Sequence, residues 1–515
     1  MRSVKPEELS ITEKIGQIVM PRLDFRNEDA LPYAEGLVKN FHIGGFIVFG
    51  GERERIISAT DRLQSISPIP LFFACDAERG VGQIVSGATL FPFAMSLGAI
   101  GDEELVYRQA GFIAREMKGC GLNLVFAPVV DVNTNRENPI INIRSYGDDP
   151  SLVSRLGTAF IKGCQEEGVL ACAKHFPGHG GVAVDSHVTL PSSSQNREDF
   201  WRCDLIPFME AIRTGVSSVM VAHLAVPQID PTGVPATISV EIIQNLLVGD
   251  LEFKGLIVTD SFIMDALSGL GKEQEKIARL SILAGCHIIL DPKEPVTLIE
   301  RLVEMIETGD IPESLLDKAV DDITKVKKKW FYDKPHRNSL DEGYGENLVE
   351  EIARRSVCCI KGRRLRSEKA IVYVLDVTQS GGDISRPFLR SLKEAGVTCQ
   401  KQVITYQDNL KSIPREENGD TAVICLVYTS VAAWKHHSSL PESYKKFLDK
   451  ASGLHSEKIL VSFGSPYVLR GFENFDTVLC AFDRMDSCQR AVADVLLGRL
   501  LARGRLPVKL HNSKS

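Results

Sequence analysis

From about residue 16 to residue 310, short apolar runs alternate with longer stretches whose apolar residues recur every three or four positions. The runs are QIVMPRL (17–23), GGFIVFG (44–50), PLFFACD (70–76), LNLVFAP (122–128), LACAKH (170–175), SSVMVAH (217–223), GLIVTD (255–260) and CHIILD (286–291). Their apolarity is continuous rather than alternating, which predicts strands covered on both faces, as parallel strands are. Between them EELVYRQAGFIAREMKG, PSLVSRLGTAFIKGCQEEG, REDFWRCDLIPFMEAIRTG and EQEKIARLSILAG predict amphipathic helices. Eight such units in about 300 residues predict an α/β fold, a (β/α)8 TIM-like barrel over residues 1–330.

Residues 331–347, FYDKPHRNSLDEGYGEN, are polar and turn-forming, and predict a linker. The pattern then restarts with a helix near NLVEEIARRSVCCI and strands AIVYVLD (370–376), QKQVITY, TAVICLVYT, KILVSFG and DTVLCAF. This predicts an open αβα sandwich domain over residues 348–515. Neither a Gly-x-Gly-x-x-Gly nor a Walker loop occurs, so no nucleotide site and no cofactor is expected. The run KVKKKW (325–330) is expected to be a solvated helix face.

A length of 515 residues agrees with two domains. With 44% hydrophobic and 25% charged residues the chain has the composition of a soluble globular protein. A net charge of -7 supplies no electrostatic footprint for nucleic acid or an anionic membrane. No stretch reaches the roughly 18 to 20 apolar residues of a membrane span, and MRSVKPEELSITEKIGQIVM lacks the apolar core and cleavage site of a signal peptide. Twelve cysteines without a Cys-x-x-Cys pair predict a reducing, cytoplasmic setting. The oligomeric state is left open.

Chemistry enters at the ends of the apolar runs, which carry Asp76, Lys174 and His175, His223, Asp260 and Asp291. Burying so many ionisable groups separately would cost several kcal/mol each. A shared polar mouth, where barrel enzymes keep their chemistry, is the cheaper arrangement. One run continues into KHFPGHG and, shortly after, DSH, which places His175, His179 and His187 within thirteen positions. Three readings follow. A zinc site would need three or four converging ligands, but Pro177 and Gly178 keep His175 and His179 off a common helix face, and the first run reads MPRLDF where barrel metallohydrolases carry His-x-His. A rigid turn accounts for Pro177, Gly178, Gly180 and Gly181, with His179 a structural hydrogen-bonding residue, yet leaves Lys174, His175 and DSH without a purpose. Proton transfer makes Asp185 and His187 an oriented acid/base pair working with Asp260 as a carboxylate nucleophile. That is the two-group arrangement of retaining glycoside hydrolysis, with histidine in place of the acid carboxyl.

KHFPGHG followed by DSH, with RSYGDDP (144–150), VTDSF (258–262) and Asp76-x-Glu78, resembles glycoside hydrolase family 3, in particular its β-N-acetylhexosaminidase (NagZ-like) branch. The ending LLARGRLPV resembles that of its two-domain members. The resemblance implies a retaining exo-β-N-acetylglucosaminidase acting on small glycans such as muropeptides, through a covalent intermediate on Asp260. It makes His187 the acid/base and Asp185 its partner, and gives Asp76, Arg144, Lys174 and His175 the sugar hydroxyls. No metal is implied. One departure stands out: the family's Asp-Gln-Glu-Gly-Gly-Arg-Val-x-Arg reads DAERGVGQI (76–84) here, so a sugar-contacting arginine is replaced by Ile84, with Arg79 as a possible substitute. GATLFP (87–92) is closer to the family's β-glucosidase branch. The alternatives are a β-glucosidase-type member, a phosphorolytic member, since a histidine acid/base repels incoming phosphate less than a carboxylate, a metal-dependent barrel hydrolase, and a non-catalytic sugar-binding protein.

Overall fold

Each of the eight apolar runs contains a strand in the computed structural model, which describes residues 6–182, 190–264, 273–331, 341–378, 382–404, 421–431 and 439–510. The first run makes two short strands, β1 (Val19–Met20) and β2 (Arg22–Asp24), because Pro21 between them has no N–H to give to a ladder. The others are β3 (Gly45–Glu52), β4 (Phe72–Cys75), β6 (Leu124–Val125), β7 (Leu170–Phe176), β8 (Ser218–Val221), β9 (Leu256–Thr259) and β10 (Ile289–Leu290), with a minor β5 (Val85–Ser86) beside β3. β2, β3, β4, β6, β7, β8 and β9 pair in that order, every pair parallel. β1 pairs in parallel with β10. Val258 and Ile288 form a parallel bridge, and Asp291 N–H donates to Met20 O at 2.8 Å. The result is a curled parallel sheet whose strands share one carboxyl end.

The chain divides into two compact units. The first comprises Met1–Leu90, Glu103–Val132 and Val153–Gly345; the second comprises Phe91–Asp102, Asn133–Leu152 and Glu346–Ser515. Within the first, every residue of β7 is buried, as its unbroken apolar run requires. The helix expected over REDFWRCDLIPFMEAIRTG forms as two pieces, Arg197–Arg202 and Leu205–Arg213. Pro207 is the cause, because proline is tolerated in a helix's first turn but not in its interior. The break leaves Asp204 buried at the junction.

In the second unit β11 (Cys358–Lys361), β16 (Thr477–Cys480), β15 (Lys458–Phe463), β14 (Thr421–Tyr428), β12 (Lys369–Asp376) and β13 (Thr398–Ile404) form one sheet in that order, parallel except at β11. Alternate residues feed two separate cores. Tyr373, Leu375, Cys425 and Leu460 pack with Tyr444 and Phe447 of the helix Glu442–Ser452. Val372, Val374, Ile424 and Val461 pack with Phe388 and Leu392 of the helix Arg386–Glu394 and Val492 of the helix Asp486–Leu496. Cys358 to Ile360, expected to end a helix, lie in β11 instead; the helix Glu342–Ser356 stops two residues earlier. Among the described residues, no helix is long and apolar enough to cross a membrane.

Candidate functional site

Lys174 lies near the carboxyl end of β7 with its side chain only 2% exposed. A buried ammonium must be paired, and here it is paired twice, at 2.6 Å to Asp76 Oδ1 and 2.7 Å to Glu78 Oε1. Asp76 directly follows β4 and keeps a third of its side chain exposed. The cluster offers carboxylate and ammonium groups together at the sheet's carboxyl end.

His175 is oriented from below. Its Nδ1–H donates to Asp131 Oδ2 at 2.7 Å and its backbone N–H to the same carboxylate at 3.2 Å. Asp131 also accepts the His179 backbone N–H at 2.6 Å and is wholly buried. Burial alone would raise its pKa, but the charge and hydrogen bond of His175, with those of His179, more than offset this and hold it below the usual aspartate value. With Nδ1 committed, Nε2 of His175 is the ring atom left for a ligand; among the described residues nothing hydrogen-bonds it.

The PGHG turn follows at once. Gly178 N–H donates to His175 O at 2.8 Å. Gly178 has φ 132°, and a Cβ there would lie 2.7 Å from the Cβ of Asp204, so only glycine lets the turn close over that residue. His179 is pushed down to about 4 by burial, so it is neutral at physiological pH. Burial, reinforced by the charge of Asp131 and opposed by Gln195, pushes Asp204 up to about 8.

Asp260 directly follows β9. Its backbone N–H donates to Val221 O at 3.0 Å and its Oδ1 accepts the Ser261 N–H at 2.8 Å. Its charge reaches His179. The next residue is held on two sides: Ser261 Oγ–H donates to Asp291 Oδ2 at 2.7 Å, and Ser261 O faces His223 Nε2 at 3.1 Å. A carbonyl only accepts, so that nitrogen of His223 carries the proton, and Nδ1 accepts from the Thr237 hydroxyl at 2.9 Å. Asp291 is locked in turn by a two-point bond from Arg22, at 2.9 and 2.7 Å.

Of the residues expected from sequence, Asp76, Lys174, His175 and Asp260 come together at the carboxyl end of the first unit's sheet. Arg144 falls in the second unit, at the end of the 3-10 helix Asn142–Arg144, where its Nη1 donates to Ile140 O. Asp185 and His187 lie outside the described residues. So does part of the metal reading; among the described residues, no three His, Cys, Asp or Glu side chains are grouped to hold a metal ion. Asp131 escaped the sequence reading although it carries the same signal as its neighbours, a polar residue ending an apolar run. The run continues past Pro128, where Val129 bridges Lys174 and Val130 N–H donates to Lys174 O, and Asp131 is its true end. Arg22 and Asp204 were missed as well.

Residues 10–326 match the glycosyl hydrolase family 3 N-terminal domain. A beta-hexosaminidase A of Pseudoalteromonas piscicida is 34% identical over 383 residues, 68% of this chain and 62% of that protein. A beta-N-acetylglucosaminidase/beta-glucosidase of Cellulomonas fimi is 31% identical over 62% of this chain and 58% of its own length. The chain thus spans about three fifths of these relatives. A solved family 3 beta-N-acetylglucosaminidase from Paenibacillus sp. superposes with a TM-score of 0.85 at 30% identity, covering 98% of this chain and 99% of that one.

Proposed function

Because the chain belongs to glycosyl hydrolase family 3, we propose that it is a retaining exo-β-N-acetylglucosaminidase that removes terminal β-linked N-acetylglucosamine from small glycans such as muropeptides. Asp260 attacks the anomeric carbon while His187, oriented by Asp185, protonates the departing glycosidic oxygen; His187 then deprotonates the water that releases the sugar from Asp260. Asp76, Lys174 and His175 hold the sugar hydroxyls, carboxylates accepting and N–H groups donating. The observation that carries this reading is the meeting of Lys174 with Asp76 and Glu78 at the strand ends where Asp260 also emerges.

The same reading takes the first unit as a closed (β/α)8 barrel, supported by the Asp291 to Met20 backbone bond, and the second as an αβα sandwich domain. Of the boundaries expected over 1–330, 331–347 and 348–515, the linker meets the helix Glu342–Ser356, and residues 91–102 and 133–152 fall with the second unit. Twelve cysteines without a Cys-x-x-Cys pair support a reducing, cytoplasmic setting. A small glycan is the partner, with no nucleic acid, membrane, metal or cofactor required.

Replacing Asp260 with Ala is expected to abolish turnover of an aryl N-acetyl-β-glucosaminide while circular dichroism is unchanged, and a 2-fluoro glycosyl donor should label the peptide containing Asp260. Undiminished turnover, or a label elsewhere, overturns the assignment. One observation favours a second sugar: Ile84, where the family pattern has arginine, ends the 3-10 helix Val81–Gln83 with only an apolar side chain to offer. The β-glucosidase reading is decided by running an aryl β-glucoside alongside.

A further inference from the structure

Arg22 stands in β2 directly after Pro21, and its guanidinium is fixed on two sides. One edge makes the two-point bond to Asp291, and one face lies 4.3 Å from the centroid of the Phe49 ring. Such a fork has already given up the rotamer freedom that binding would otherwise cost. Yet the side chain is 46% exposed while that of Asp291 is fully buried. Among the described residues its Nη1 has no hydrogen-bond partner, so the outer edge presents N–H donors to solvent.

The register says which way that edge looks. Arg22 pairs with Ile47, and Ile47 with Ala74. Paired residues lie on one face of a parallel sheet and the face recurs every second residue, so Asp76, two positions on from Ala74, extends that face toward the carboxyl end. The β2/β3 register shifts after Val48, and there it is the ring contact that keeps Phe49 beside Arg22. On its other side the fork is one carboxylate from the reaction centre, since Asp291 Oδ2 takes both Arg22 Nη2–H and Ser261 Oγ–H, and Ser261 follows Asp260. The Arg22 and Asp291 charges cancel, so the pair exerts little long-range pull on an anion. What it offers is a directional donor for a neutral oxygen.

We propose that Arg22 is a specificity-determining residue of the sugar site, donating from its outer edge to a neutral acceptor, a ring hydroxyl or an acyl carbonyl, of the sugar bound against Asp260. It supplies from β2 the guanidinium that Ile84 does not. This rests on the glycosidase reading of Asp260.

The test compares wild type with Arg22→Lys and Arg22→Met on aryl N-acetyl-β-glucosaminide and aryl β-glucoside, with calorimetric titration of free N-acetylglucosamine and glucose. Loss of one charge-assisted hydrogen bond predicts that Arg22→Met lowers kcat/KM for the preferred sugar about 10- to 100-fold and changes the ratio between the two sugars, with Arg22→Lys in between. The double variant R22M/D291N, which leaves no unpaired carboxylate, must keep the altered ratio. A merely structural role would lower both sugars alike, and an unchanged ratio overturns the proposal. Should wild type bind a sugar but turn over neither glycoside, the catalytic reading fails and the binding ratio decides the role of Arg22; no binding of either sugar overturns both.

Discussion

Asp131 and His175 are joined twice, through the imidazole Nδ1–H at 2.7 Å and the backbone N–H at 3.2 Å, so one buried carboxylate sets both the ring and the chain of the histidine near the end of β7. It also takes the N–H of His179. The strand end and the turn after it therefore hang on a single side chain.

Asp131→Ala should destabilise the protein by about 3–5 kcal/mol, the range for breaking a buried pair, and, on the proposed role of His175 in holding the sugar, lower kcat/KM more than kcat, because the ring loses the partner that orients it. Denaturant unfolding and steady-state kinetics check this. Since the folded-state pKa lies below the unfolded one, the contribution of Asp131 is complete above the ordinary aspartate pKa of about 4 and is lost as pH falls further. The variant should show a flatter acid limb in unfolding free energy.

Lys174→Met removes the ammonium that Asp76 and Glu78 share. A loss of activity of at least about 100-fold is expected, with a stability cost of about 3 kcal/mol or more. Lys174→Arg should not rescue it, because a planar fork does not fit a cavity built for a compact ammonium. Near-normal kinetics in either variant would remove Lys174 from the site.

Asp204, pushed up to about 8 by burial, keeps its proton in the folded state at pH values where the unfolded chain has lost it. From about pH 4 to about pH 8, wild-type stability should fall as pH rises on its account. Asp204→Asn should remove that slope, gaining thermal stability relative to wild type at pH 8 but not at pH 4. Melting curves across this range test it; a variant whose difference from wild type is constant with pH contradicts it.

Lys327 gives the opposite sign. Burial brings it down to about 7, although its Nζ lies 2.8 Å from both Gln17 Oε1 and Gly44 O. The unfolded chain holds this proton up to about pH 10, so stability from Lys327 rises with pH between about 7 and that value. Lys327→Gln should flatten the alkaline limb, as read by urea midpoints at pH 7 and 9.5.

The strands were legible because each lies in a largely apolar run, and the polar residues ending those runs marked the candidate site. Legibility stopped where structure depends on partners distant in sequence. Nothing near Arg22 announces that its carboxylate is 269 residues away at Asp291. Asp131 was hidden because Pro128 reads as a strand end, whereas the ladder resumes at Val129 and Val130. Over residues 197–215 the helical period was real, but Pro207 and the burial of Asp204 cut the helix in two. Cys358 to Ile360 look like helix by their apolar neighbours and are claimed by pairing with β16.

Met95, Ala99 and Ile143 pack in one core with Tyr373, Leu460 and Phe482. A ribosome delivers the first three long before the others exist, so these side chains wait exposed while most of the polypeptide is made. Synthesis order and folding order are thereby uncoupled, and a message truncated near residue 347 encodes a chain with bare apolar segments at 91–102 and 133–152. Such a fragment is a substrate for chaperones and proteases, which makes the two units a single inheritance.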